Sequence, residues 1–124
     1  MLFRSLAFDI IAAVPAAATD DTGPAEAGIR AELHRYFGLP FYRTMFRAAG
    51  YGDDVAAYDA AAGDQARQVA AIGDAFIDDL CAIGDADSVT KVLDRFRSAG
   101  ATNVMITNIR DTDFGATMRA ATGG

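Results

Sequence analysis

The stretch that decides the fold is Phe8-Asp9-Ile10-Ile11-Ala12-Ala13-Val14-Pro15-Ala16-Ala17-Ala18, an almost unbroken apolar run. A continuous run of this kind, without alternation, is typical of a parallel strand that is buried on both faces. The sequence therefore predicts a strand over residues 8–18. A secretory signal is disfavoured because Asp9 lies inside the run, and the run is well short of the about 18 residues that a membrane span needs.

A second apolar segment predicts another strand over residues 102–109. Val104, Met105 and Ile106 are β-prone residues, and a polar turn follows at Arg110. Because helical sequence separates the two strands, we expect them to pair in parallel through a right-handed crossover. Two strands of this type leave unpaired edges, which either neighbouring strands or another chain must cover.

The rest of the chain has the periodicity and the caps of helices. A helical region is predicted over residues 24–81, with Pro24 at its first position and a break near Gly63. A stripe at Val89, Val92, Leu93 and Phe96 predicts a helix over residues 86–99, which Asp85 caps at its N-terminus. A short final helix is predicted over residues 114–121.

Composition excludes several classes of function. The 124 residues carry a net charge of −6, and the few cations are scattered, so neither nucleic acid nor a membrane surface is an expected partner. Cys81 is the only cysteine and is expected to be a buried apolar residue, while a single histidine, His34, rules out a His-based metal site. We expect a cytoplasmic protein without a bound metal.

Four short segments, taken in order, carry a resemblance to a known family. They are Phe8–Pro15 running into Thr19-Asp20-Asp21, Leu39-Pro40-Phe41-Tyr42-Arg43-Thr44-Met45 with Ala49-Gly50-Tyr51, Ile83-Gly84-Asp85, and Ala99-Gly100-Ala101-Thr102. This ordered set resembles the C-terminal portion of the luciferase-like oxidoreductases, and more narrowly the branch that uses the deazaflavin coenzyme F-420. The likeness spans about Leu6 to Ile109.

The resemblance implies an α/β fold, namely the C-terminal part of a (β/α)₈ TIM barrel. Residues 1–124 would then be a fragment of one barrel domain, with its last two strands, a helical insertion and the closing helix. The implied activity is hydride transfer between F-420 and a small organic substrate, and the fragment alone is expected to be inactive. A fragment of an FMN-dependent monooxygenase of the same family and a non-enzymatic α/β interaction module remain alternatives, and a homodimer of the full-length parent is left open.

Barrel enzymes build their sites at the carboxyl ends of the strands, which directs attention to two short segments. They are Thr19-Asp20-Asp21 after the first strand and Asn108-Ile109-Arg110 after the second. Arg110, with Asn108, is the candidate for cofactor binding, because a guanidinium can hold a phosphate or carboxylate by a bidentate contact. The alternative is that Arg110 pairs with Asp111 or Asp113 at the surface.

A second cluster lies on the helical insertion, which the resemblance places near the substrate entrance. Its candidates for contact with the substrate are Tyr36, Tyr42 and Arg43, with Arg47 close by in the sequence. Pocket walls are often aromatic, but aromatic residues at helical spacing also build cores, so both interpretations stay open. No catalytic residue is assigned from the sequence.

Overall fold

The two predicted strands are neighbours and run in parallel. In the computed structural model, which describes residues 9–123, β1 (Ile11–Ala18) pairs with β3 (Asn103–Asn108), and Val14 lies opposite Ile106. The start of the predicted strand at Phe8 lies outside the described residues. The parallel pairing of these two segments is therefore confirmed.

A third strand, β2 (Ala82–Gly84), was not predicted. It pairs in parallel with the other edge of β1, where Ala16 lies opposite Ala82, so the strand order is β2-β1-β3. The prediction of two strands is wrong because a three-residue strand has no periodicity of its own. Its pairing partner, residues 16–18 of β1, determines its conformation.

The remaining elements are helices. They are α1 (Thr22–Leu33), a 3₁₀ helix (His34–Gly38), α2 (Pro40–Ala48), α3 (Gly52–Ala60), α4 (Gln65–Ala70), α5 (Asp74–Leu80), α6 (Ala86–Ser98) and α7 (Phe114–Thr122). The predicted helices over 86–99 and 114–121 correspond to α6 and α7. The fold is mixed α/β, and in residues 9–123 no helix is both long and apolar enough to cross a membrane.

The described chain divides into two compact units. The first, the sheet unit, contains residues 9–22 and 81–123, and the second, the helical unit, contains Gly23–Leu80. Each unit has apolar side chains buried in its interior.

In the sheet unit, one face of the sheet packs against α6 and α7. Val14 and Ala16 of β1 form a buried cluster with Val89 and Leu93 of α6 and with Ala120 of α7. Burial of Val89 and Leu93 confirms the apolar stripe that the sequence indicated on α6. On the other face, the side chains of Ile11 and Met105 are 63% and 52% exposed, whereas Ala17 is fully buried.

In the helical unit, aromatic rings make the core. Phe37 and Phe76 are fully buried, with their ring centroids 5.2 Å apart. Phe46 and Tyr51 pack edge-on against the Phe76 ring at 5.0 Å and 4.9 Å. Pro40 begins α2, where it loses no hydrogen bond because the first N–H groups of a helix have no intrahelical acceptor.

Candidate ligand site at the carboxyl ends of the strands

The carboxyl end of β1 is tied to β2 and to α7. The backbone N–H of Thr19 donates to the Gly84 carbonyl oxygen at 2.7 Å. The N–H of Ala18 donates to the hydroxyl of Thr117, which is fully buried and itself donates to the Asp113 carbonyl oxygen. These bonds satisfy the last backbone groups of the strand and hold the start of α7 beside them.

A cleft of about 540 Å³ opens at this end of β1 and β2, between α6 and α7. Its polar lining residues are Thr19, Asp20, Asp85, Asp87, Thr90 and Arg119. Thr90 joins the two helices, because its hydroxyl lies within hydrogen-bonding distance of the carbonyl oxygens of Ala86 and Ala120. The cleft occupies the place where open α/β sheets and barrels both bind their ligands.

Charge limits what this cleft accepts. Asp20, Asp85 and Asp87 outnumber the single cation, Arg119. The Asp85 carboxylate accepts the Ser88 N–H at 2.8 Å, and this bond, helped by the Ser88 hydroxyl, keeps the pKa of Asp85 below its ordinary value of 3.8. The predicted cap at Asp85 is therefore confirmed. A phosphate or carboxylate is disfavoured in this cleft, whereas hydroxyl or cationic groups are tolerated.

Of the first predicted segment, Thr19-Asp20-Asp21, only two residues lie at the cleft. Thr19 and Asp20 line the cleft, as expected for residues at a strand end. Asp21 does not line it, and its backbone N–H donates to the Thr19 hydroxyl at 3.1 Å in the turn that precedes α1.

The second predicted segment does not line the cleft. Asn108 is bonded to Thr112, whose hydroxyl donates to the Asn108 side-chain oxygen at 3.1 Å. Ile109 is fully buried. Arg110 is exposed, and within residues 9–123 it forms an ion pair with neither Asp111 nor Asp113. The surface-pairing alternative is not observed, and cofactor binding by Arg110 and Asn108 stays a prediction.

Asp111, next to Arg110, has a left-handed backbone conformation with φ at 63°. Few residues other than glycine adopt this conformation, and aspartate is one of those that tolerate it. The turn after β3 therefore has a defined shape, which directs the chain into α7.

Two of the predicted substrate contacts come together in the helical unit. The rings of Tyr36 and Tyr42 pack edge to face at 4.8 Å. Arg43 forms a two-point ion pair with Asp59, at 2.8 Å and 2.6 Å, and also donates to the Phe37 carbonyl oxygen at 2.9 Å. These bonds make Arg43 a clamp between α2 and α3, and its contact with a substrate stays a prediction.

The ion pair between Arg43 and Asp59 predicts how the Asp59 carboxyl titrates. The bond from Arg43 holds the pKa of Asp59 below its ordinary value of 3.8. The stabilisation is complete above that ordinary value and is lost as the pH falls through the lower folded pKa. We expect Arg43→Lys, which cannot make the two-point contact, to raise the Asp59 pKa towards 3.8, as followed by carboxyl-carbon NMR. The Asp85 titration is the internal control and should not move, and an unchanged Asp59 pKa would contradict the assigned cause.

Sequence reasoning missed Asp87, Thr90 and Arg119. Thr90 follows Ala86 by four residues on α6, so helical spacing places both on one face of that helix. In the same way, Ala120 follows Ala116 by four residues and shares a face of α7 with it. The packing of α6 against α7, which brings the two faces together, has no signal in the sequence. In the described part of the chain, no cluster of three or more His, Cys, Asp or Glu side chains is arranged to hold a metal ion.

The fold and the cleft define a parallel α/β unit with a polar cleft at the carboxyl ends of its strands. Comparisons of the chain with protein-family models, curated proteins and solved structures find no match.

Proposed function

We propose that this chain is the C-terminal part of a cytoplasmic luciferase-like oxidoreductase, in which it contributes the last two strands of a (β/α)₈ barrel. The observation that carries the proposal is the parallel pairing of β1 with β3 over six residue pairs, from Ile11 opposite Asn103 to Ala16 opposite Asn108. Adjacent parallel strands, with helices on one face, are the repeating unit of such a barrel. The choice of the luciferase-like family among barrel enzymes is supported by the resemblance of the ordered motifs from Leu6 to Ile109.

The unpaired edge of β1 supports the barrel form of this proposal. β2 pairs only with residues 16–18, so the first part of β1 has no partner on that side among the described residues. In the proposed barrel, the preceding strand pairs there, since a closed barrel has no free edges. Closure of the barrel would also bring the side chain of Ile11, which is 63% exposed, into the packed interior.

In this proposal F-420 supplies the hydride chemistry, and the chain contributes to binding and orientation. Arg110 is suited to an anionic group of the cofactor, because it is exposed and has no ion pair within residues 9–123. The acidic cleft between α6 and α7 does not fit the anionic parts of F-420, so no part of them is assigned to it. Tyr36 and Tyr42 are proposed to contact the substrate as one aromatic pair.

Titration of the complete polypeptide that contains this chain tests the proposal. We expect saturable binding of F-420, followed by deazaflavin fluorescence, together with F-420-dependent turnover of a small organic substrate. Retention of FMN in place of F-420 would replace this assignment with the FMN-dependent monooxygenase of the same family. Binding of neither cofactor would overturn the oxidoreductase assignment.

A second candidate, a non-enzymatic α/β interaction module, is favoured by the strand order. A barrel that pairs its strands in chain order would place β2 between β1 and β3, whereas here β1 is central, as in open α/β sheets. Size-exclusion chromatography of the 124-residue chain separates the two candidates. A sharp, folded dimer would favour the module, and aggregation through exposed apolar side chains such as Ile11 and Met105 would favour the barrel part.

A further inference from the structure

Side chains alternate between the two faces of the sheet along β3, so neighbouring residues near its carboxyl end lie on different faces. Val104 and Ile106 pack against the cluster that β1 forms with α6 and α7. Because side chains on a strand alternate between faces, Asn108 belongs to this helix-covered face and Thr107 to the opposite face. Thr107 lies opposite Pro15 of β1 in the register.

The face that carries Thr107 is uncharged. On β1 it consists of Ile11, Ala13, Pro15 and Ala17, and on β3 of Asn103, Met105 and Thr107. Thr107 is exposed, it is the residue of this face nearest the carboxyl end of β3, and its hydroxyl forms no hydrogen bond with another residue of the described chain. In contrast, the side chain of Asn108 is already bonded to Thr112.

We propose that Thr107 is a ligand-positioning residue of the oxidoreductase, whose hydroxyl forms a hydrogen bond with the uncharged ring system of the deazaflavin. This inference rests on the proposed function. Helices cover the outer face of barrel strands, so the face opposite α6 and α7 becomes the lumen, and ligands bind at the carboxyl end of that lumen. An uncharged wall with one hydroxyl, and with apolar side chains around that hydroxyl, suits a planar ring with carbonyl and N–H groups at its edge.

The same alternation gives Asn108 a different role. Its side chain lies on the helix-covered face and holds the turn that leads from β3 towards α7, through Thr112. Thr107 therefore replaces Asn108 as the expected contact for the cofactor ring on this strand.

Binding of F-420 to matched variants of the complete polypeptide tests the inference. Thr107→Val keeps the shape of the side chain but removes the hydroxyl, and we expect it to weaken F-420 binding about five- to tenfold, since one buried hydrogen bond has about this effect. Thr107→Ser keeps the hydroxyl and should bind within about twofold of the parent. Thr122→Val is the control, because among the described residues the Thr122 hydroxyl donates only to the Met118 carbonyl oxygen on α7, and this variant should bind like the parent.

The outcomes separate the two proposals. If the parent protein does not bind F-420, the oxidoreductase assignment fails, and the role of Thr107 fails with it. If the parent binds and Thr107→Val binds equally well, only the role of Thr107 is overturned. Weaker binding by Thr107→Val with recovery in Thr107→Ser supports it, because a packing defect would not be repaired by the smaller serine.

Discussion

Phe76→Ala is expected to lower the free energy of unfolding by about 3 to 5 kcal/mol, the usual range for removing a fully buried phenylalanine ring. Phe76 is 0% exposed, and its ring contacts those of Phe37, Phe46 and Tyr51 at centroid distances of 4.9 to 5.2 Å. Alanine removes the ring from the centre of this aromatic core, and the short helices around it have limited means to close the cavity. Urea unfolding followed by circular dichroism measures the loss.

The matched control for this substitution is Phe41→Ala in the same unit. Phe41 is 69% exposed, so its truncation removes little buried surface and should change the free energy of unfolding by less than about 1 kcal/mol. Equal losses in the two variants would show that the ring cluster is not the core of the helical unit.

Gly84→Ala is expected to have an effect comparable with that of Phe76→Ala. Gly84 ends β2 with φ at 146°, a backbone conformation that costs a residue with a side chain about 1 to 3 kcal/mol. A Cβ atom placed there would lie 2.8 Å from the Cβ of Ser88, which is closer than real contacts allow. Relief of this clash would displace the first turn of α6 and disturb the bond between Ser88 and Asp85, at an additional cost of about 1 to 3 kcal/mol.

Gly52→Ala is the control, a glycine-to-alanine change at a position that requires neither a positive φ nor the absence of a Cβ atom. Gly52 begins α3, does not have a positive φ, and a Cβ added to it meets no atom within 4 Å. Alanine at this position should leave stability unchanged or raise it by about 0.5 to 1 kcal/mol. A loss for Gly84→Ala no larger than the change for Gly52→Ala would contradict the strained turn between β2 and α6.

The two candidate sites, the cleft at the strand ends and the cluster around Arg43, were only partly accessible from the sequence. Thr19 and Asp20 were located because a polar turn directly after a buried strand marks a carboxyl end, and this rule needs no tertiary information. Arg119 was not found, since it becomes part of the cleft only when α7 packs beside α6. The sequence indicates Arg43 as a substrate contact, whereas its ion pair with Asp59, sixteen residues away, depends on how α2 and α3 pack.

The sequence by itself determined β1, β3, α6 and α7 and the parallel direction of the two long strands, because continuous apolar runs, a helical stripe and an Asp cap are local signals. Only the tertiary structure decided the strand β2 and the central position of β1, because a three-residue strand is stabilised by its partner and not by its own composition. The tertiary structure also decided which of the neighbours Thr107 and Asn108 lies on the sheet face that α6 and α7 cover. That difference depends on which face the helices cover, and the alternating pattern of a strand does not encode it.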